Sequence, residues 1–181
     1  MRRVLMSVLG VLLLVSACGS SGDGSEGDDV AGQGSYKSVK SSVDDVMGTV
    51  LPELASAVEG EFPAVRGEFV ECGVGPQFQQ YSVRGELHSQ VQDDAEAADA
   101  IKAVLTDAGF DVTVDDDQTV KGTTGGTTVV VLASGGSPIA GGTFIRRLSV
   151  DSECQTYSSA DADAMRETPV EKYAAVLNGT S

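Results

Sequence analysis

Thr127–Ala133 reads TTVVVLA, and this unbroken run of β-branched and aliphatic side chains decides the class of fold. A strand with one wet face alternates apolar and polar residues. A continuous run marks a strand covered on both faces or placed centrally in a sheet. Gly125-Gly126 lies just before it and allows the chain to reverse with positive φ, so Val120 belongs to a neighbouring strand that ends at Thr123–Gly126. Further back, Phe110, Val112 and Val114 alternate as another strand, and Asp115-Asp116-Asp117-Gln118 makes the turn after it. On the other side, Ser134–Gly142 carries four glycines and Pro138 and reads as a flexible loop. Thr143–Ser152 follows as a strand with Phe144, Arg146, Leu148 and Val150 on one face and Ile145 and Arg147 on the other.

Upstream, Tyr81, Val83, Gly85 and Leu87 alternate with Ser82, Arg84, Glu86 and His88, which is the pattern of a half-buried strand. Asp93 or Asp94 caps a helix that runs through Ala108, with Ala97, Ile101, Val104, Leu105 and Ala108 as its apolar stripe and Gly109 as its stop. Tyr36–Glu59 carries a second stripe: Val39, Val43, Val46, Met47, Val50, Leu51, Leu54 and Val58. Pro52 predicts a kink or restart near Thr49–Leu51. Glu61–Gly75 reads as irregular and partly extended, and the chain after Cys154 as polar, with short helices over Asp161–Glu167 and Val170–Leu177. The expected fold is α+β: a mainly antiparallel sheet of four or five strands with two helices on one face. That domain spans 36–157, and 158–181 is expected to be a polar C-terminal tail.

The N-terminus has a different character. Arg2 and Arg3 precede Val4–Val15, an apolar run broken only by Ser7 and Gly10. At ~1.5 Å per helical residue the run reaches ~18 Å, short of a ~30 Å bilayer core, so it fits a signal-peptide h-region. Val15-Ser16-Ala17-Cys18 resembles a bacterial lipobox. The resemblance implies cleavage after Ala17, a signal peptide over 1–17 and a diacylglycerol on the Cys18 sulfur. The alternatives are an ordinary signal peptide with a coincidental Cys, or an uncleaved anchor. Two acyl chains anchor durably where one is marginal. Residues 18–35 then contain the lipidated Cys18 and a Gly/Ser/Asp-rich tether whose composition cannot bury surface. The implied location is the extracytoplasmic side of the cell membrane.

With Cys18 assigned to lipid, Cys72 and Cys154 remain, an even number in a chain bound for an oxidising compartment, and a disulfide between them is expected. The alternative is a pair of working thiols, although the chain has no C-x-x-C. The whole layout of lipobox, tether, amphipathic helix, cysteine, strand–helix–strands and a closing Ser152-Glu153-Cys154 resembles the small LppA-like lipoproteins of mycobacteria and their relatives. That family has no established activity or catalytic residues to carry over. The resemblance implies the fold and the disulfide only.

Composition narrows the function classes. The 181 residues contain 12 Lys+Arg against 27 Asp+Glu, a formal charge of -15, which opposes binding to nucleic acid or to anionic lipid through a polybasic patch. His88 is the only histidine and falls on the outward register of its strand, where it reads as a surface residue. Ser137 sits in Gly-Gly-Ser-Pro, which does not suit a nucleophile elbow. Asp115, Asp116 and Asp117 read as a solvated turn, because adjacent carboxylates point apart while a calcium cage needs convergent oxygens. Asp161 and Asp163 are weaker still. One of Arg146 and Arg147 should face the helix layer or an edge partner, with a local salt bridge as the simpler reading. No catalytic residue, metal site or cofactor is expected, and the ligand-binding residues are unknown. The expected function is a membrane-anchored envelope lipoprotein whose domain is a non-catalytic binding module. The alternatives are a carrier of a small apolar or lipid ligand, and a cell-wall or periplasmic enzyme. The partners are the membrane, through diacylglyceryl-Cys18, and an unknown protein or lipid ligand.

Overall fold

The computed structural model describes residues 36–138 and 142–174. The expected signal segment, Cys18 and the expected tether lie outside the described residues. Among the described residues the fold is α+β, with three helices and an eight-stranded antiparallel sheet. The sheet is thus larger than the four or five strands expected, and beside the two helices of the expected layer a third covers Ser159–Glu167, where a short helix over Asp161–Glu167 is expected.

The elements, in chain order, are α1 Tyr36–Ala57, β1 Val65–Glu71, β2 Phe78–Ser89, α2 Asp94–Asp107, β3 Asp111–Val114, β4 Thr119–Thr124, β5 Thr127–Pro138, β6 Phe144–Ser152, β7 Gln155–Thr156, α3 Ser159–Glu167 and β8 Glu171–Tyr173. The sheet order is β3-β4-β5-β6-β2-β1-β8, and β7 pairs with the far end of β2. The TTVVVLA run is therefore interior, between β4 and β6. Gly125 and Gly126 both take positive φ and join β4 to β5 with Thr124 opposite Thr127, the geometry of a two-residue hairpin turn.

Three of the additions have visible causes. The segment expected to be irregular contains β1, paired along its whole length with β2 and with Val65 and Gly67 buried. The expected loop after Ala133 continues as strand to Pro138, with a register irregularity between Leu132 and Ser137 that accommodates the glycines. The segment expected to hold a helix after Val170 instead contains β8, which pairs with β1 and extends the sheet beyond residue 157.

Helices α1 and α2 pack together on one face of the sheet. Their stripes, with Val43, Met47, Leu54, Ala97, Ile101 and Leu105 buried, meet Val65, Tyr81, Val83, Leu87, Val129, Val131, Leu148 and Val150. Burying a side chain of this size stabilises by ~1.5–3 kcal/mol, which is why both stripes are apolar. Helix α1 is continuous through Pro52, with no restart at Thr49–Leu51. Helix α2 starts where expected: the Asp93 carboxylate accepts from the Glu96 N–H at 2.9 Å. It ends in paired bonds, Gly109 N–H to Thr106 carbonyl and Phe110 N–H to Leu105 carbonyl, both 3.0 Å. Ala108, assigned to the apolar stripe, is exposed. Helix α3 lies against β1 and buries Ala162 and Met165 apart from the main core.

Two devices close the C-terminal part of the fold. Cys72 and Cys154 form a disulfide with Cα atoms 5.8 Å apart, joining the β1–β2 turn to the end of β6. At the β8 edge, Tyr173 Oη donates to Asp44 of α1. Tyr81 Oη lies 3.2 Å from Tyr173 Oη and 3.3 Å from Glu171 Oε2. Lys40 Nζ completes the cluster by pairing with Asp44 at 2.6 Å and with Glu171. Gly67 leaves room for both rings: a Cβ there would come within 2.4 Å of Tyr81 Oη and 2.9 Å of the Tyr173 ring.

Candidate binding groove

With α1 and α2 on one face, alternation sends every second strand residue to the opposite face. Register then decides which of these meet. Thr113 of β3 opposes Lys121 of β4, Lys121 opposes Val130, and Val130 opposes Ser149. Ser149 opposes Arg84, Arg84 opposes Arg66, and Arg66 opposes Lys172. One row across the sheet thus carries Lys121, Arg84, Arg66 and Lys172 and no carboxylate. The adjacent row carries Leu132, Arg147 and Glu86 in register.

These two rows line an open groove of about 630 Å³, bounded by Pro63, Ala64, Arg66, Arg84, Glu86 and Arg147 and floored by Val130, Leu132 and Ser149. The volume is within the ~300–1,000 Å³ range of small-molecule sites. Arg84 donates to Asp151 Oδ1 at 2.7 Å and to the Val83 carbonyl at 3.1 Å. Among the described residues, Arg66 and Arg147 have no hydrogen-bond or ion-pair partner. Arg66 and Arg84 are direct cross-strand neighbours, and like charges in that relation destabilise an antiparallel pair.

Of the residues singled out in the sequence, Arg147 lines the groove and the others fall elsewhere. His88 keeps its outward register but is not a surface residue: its side chain is only 21 % exposed, and Nε2 is buried without a hydrogen-bond partner, 3.7 Å from Glu86. Ser137 lies in β5 opposite Ile145. Asp115 serves its turn, its carboxylate accepting from the Thr119 N–H at 2.8 Å. Asp161 accepts from the Ser158 hydroxyl at the start of α3, and Asp163 pairs with Arg166. Among the described residues no three His, Cys, Asp or Glu side chains are grouped to hold a metal ion.

Arg146 faces the helix layer and is buried under the first turn of α2, with Nη2 3.1 Å from Asp94 Oδ1. Its Nε and Nη1 are buried without partners. Burial lowers its pKa from the ordinary arginine value, and the Asp94 charge opposes that shift.

The arginine groove was not found from sequence. Arg66 and Arg84 are 18 positions apart, and only the β1–β2 register brings them side by side. No family model, no curated protein and no solved structure matches the chain.

Proposed function

We propose that the chain is a lipid-anchored protein of the bacterial envelope, whose α+β domain is a non-catalytic binding module on the extracytoplasmic side. The anchor rests on the lipobox pattern Val15-Ser16-Ala17-Cys18, and the same layout carries the resemblance to LppA-like lipoproteins. The disulfide between Cys72 and Cys154 suits an oxidising compartment.

The observation that carries the binding role is the groove on the sheet face opposite α1 and α2. Its charged rim includes Arg66 and Arg147, which have no hydrogen-bond or ion-pair partner among the described residues. Between sheet and helices, where a carrier would hold its cargo, Val43, Leu54, Phe62, Leu87, Ile101 and Leu105 are fully buried against one another.

Two measurements test the two halves of the proposal. Cys18→Ala should release the protein from membranes; undiminished membrane retention contradicts acylation. Native mass spectrometry of protein purified from its host should find a retained ligand or partner that is lost when the groove is filled, for example by Ser149→Trp. A ligand unaffected by that change would place binding elsewhere.

A further inference from the structure

The groove's chemistry identifies a class of ligand, and this assignment rests on the binding-module reading above. We propose that the groove binds an amphiphilic anion, with a phosphate or carboxylate head on Arg66, Arg84 and Arg147 and a short apolar portion over Val130 and Leu132.

The charge distribution is the first support. The chain has a formal charge of -15, so its average surface repels anions. Against that background the register row places Lys121, Arg84, Arg66 and Lys172 on one line without an intervening acid. At ~4.8 Å per strand the row from β4 to β8 spans roughly 24 Å.

The second support is energetic. Folding sets Arg66 directly opposite Arg84, a like-charge pair, and among the described residues Arg84 has a carboxylate partner and Arg66 has none. Nothing in the fold requires cations at both positions, since both side chains are exposed. A bound anion would remove the repulsion, so the ligand-free domain bears a cost that the complex does not.

The third is the identity of the side chains. Guanidinium groups present a planar fork that matches carboxylate and phosphate oxygens in pairs, which a lysine does not. Three such forks border the groove while its floor offers Val130 and Leu132. Glu68, Glu86 and Asp151 are acids on the same stretch of this face, Glu68 two positions beyond Arg66 on β1 and level with Asp151 through Ser82. Asp151 pairs with Arg84 and Glu86 lies toward His88, and among the described residues none of these acids is paired with Arg66 or Arg147. A head group alone would leave the apolar floor unused, and an uncharged amphiphile would leave the forks unpaired.

The test uses the full chain in non-ionic detergent micelles, with calorimetric titration of hexyl phosphate, hexanol and inorganic phosphate. Hexyl phosphate should bind, and the other two should bind at least about tenfold more weakly. The double variant R66Q/R147Q should weaken hexyl phosphate by about tenfold or more with an unchanged thermal melt, and R66K/R147K should fall between it and the parent. Added salt should weaken the parent's binding more than the glutamine variant's. Equal binding of hexanol, or equal binding by R66Q/R147Q, overturns the proposal. Doping the micelles with phosphatidylglycerol separates two sources of the same chemistry: competition assigns the head group to lipid, and its absence assigns the ligand to a soluble anion. Failure of hexyl phosphate to bind, with a neutral ligand retained in native mass spectrometry, overturns the anion class alone. Failure of both removes the binding-module reading as well.

Discussion

Tyr173, in the last strand, donates its phenolic hydrogen to Asp44, in the first helix, across 129 positions of sequence. The bond joins the edge of the sheet to the helix layer and does so inside a cluster with Tyr81, Lys40 and Glu171. Tyr173→Phe removes the donor, leaves Asp44 with Lys40, and should cost about 1–2 kcal/mol in urea unfolding. Gly67→Ala should cost more than Tyr173→Phe, because its methyl group must displace the Tyr81 hydroxyl or the Tyr173 ring. Both should increase protease cleavage after residue 167, the site expected to open if β8 detaches. Equal stability of G67A and the parent would show that the tyrosine pair does not occupy the space over Gly67.

The same cluster sets an alkaline limit. Burial raises the pKa of Tyr81 and Tyr173 above the ordinary value, and for Tyr173 the bond it donates to Asp44 adds to the rise. Burial works to lower the Lys40 pKa, but its bonds to Asp44 and Glu171 outweigh that and leave it raised. In each case the folded state keeps a proton that the unfolded chain releases at its ordinary pKa of about 10 for Tyr and 10.4 for Lys. The unfolded state therefore binds fewer protons above pH about 10, and stability falls as pH rises through that point. Urea midpoints measured from pH 7 to 11 should fall above pH about 10, and Tyr173→Phe should reduce the slope. A flat profile would contradict the buried cluster.

A substitution in the opposite direction is available at the end of α1. Glu59 has φ +49°, and the bonds Glu59 N–H to Ser56 carbonyl and Gly60 N–H to Ala55 carbonyl close the helix around it. The left-handed conformation costs an L-residue about 1–2 kcal/mol, which glycine avoids. Glu59→Gly should therefore stabilise by roughly 0.5–1 kcal/mol, despite the extra freedom it gives the unfolded chain. Thermal melting would show the upward shift; a loss of stability would mean that the Glu59 side chain contributes more than its backbone costs.

The parts of this fold that were legible in sequence are those with a complete local signal. The β2 alternation, the α2 stripe with Asp93 before it and Gly109 after it, and the Gly125-Gly126 turn each carry their own period or punctuation. Strand β1 was missed because its inward sequence is Val65, Gly67, Phe69, and the central glycine erases the apolar period. That glycine is required by Tyr81 and Tyr173, which lie far away in sequence. Strand β8 has three residues, too few for any period, and its inward side chains Glu171 and Tyr173 enter a polar cluster. The groove was hidden for a related reason: its cations come from β1, β2 and β6, and single strands do not disclose register. Arg146 was legible in part, since Phe144, Leu148 and Val150 fix its face.

The disulfide closes a long loop, with 82 positions between Cys72 and Cys154. In the chain-entropy model a loop of this size stabilises by up to about 4.5 kcal/mol. Reduction, or C72A/C154A, should lower the urea midpoint substantially and steepen the transition, because the unfolded chain freed of the crosslink exposes more surface. Labelling of unreduced protein should find both thiols blocked. A midpoint insensitive to reductant would mean that the native pairing of β1, β2 and β7 already restrains this end of the fold.

Arg146 and Asp94 should respond asymmetrically to mutation. The Arg146 side chain is completely buried, while Asp94 is 38 % exposed and still reaches water. The guanidinium has therefore lost its hydration and regained one bond, with Nε and Nη1 unpaired. Removing the acid leaves a buried charge without a counterion, whereas removing the base leaves an acid that solvent and the α2 N-terminus can stabilise. Asp94→Asn should cost about 1–3 kcal/mol, less than for a fully buried pair because Asp94 is partly screened. Arg146→Met fills a similar volume opposite Leu87 without a desolvated charge, and should be neutral or stabilising by ~1 kcal/mol or more. The double variant D94N/R146M should then lie close to R146M alone, because the penalty of D94N exists only while the guanidinium is present. Additive effects in that cycle would show that the two residues do not form the pair described.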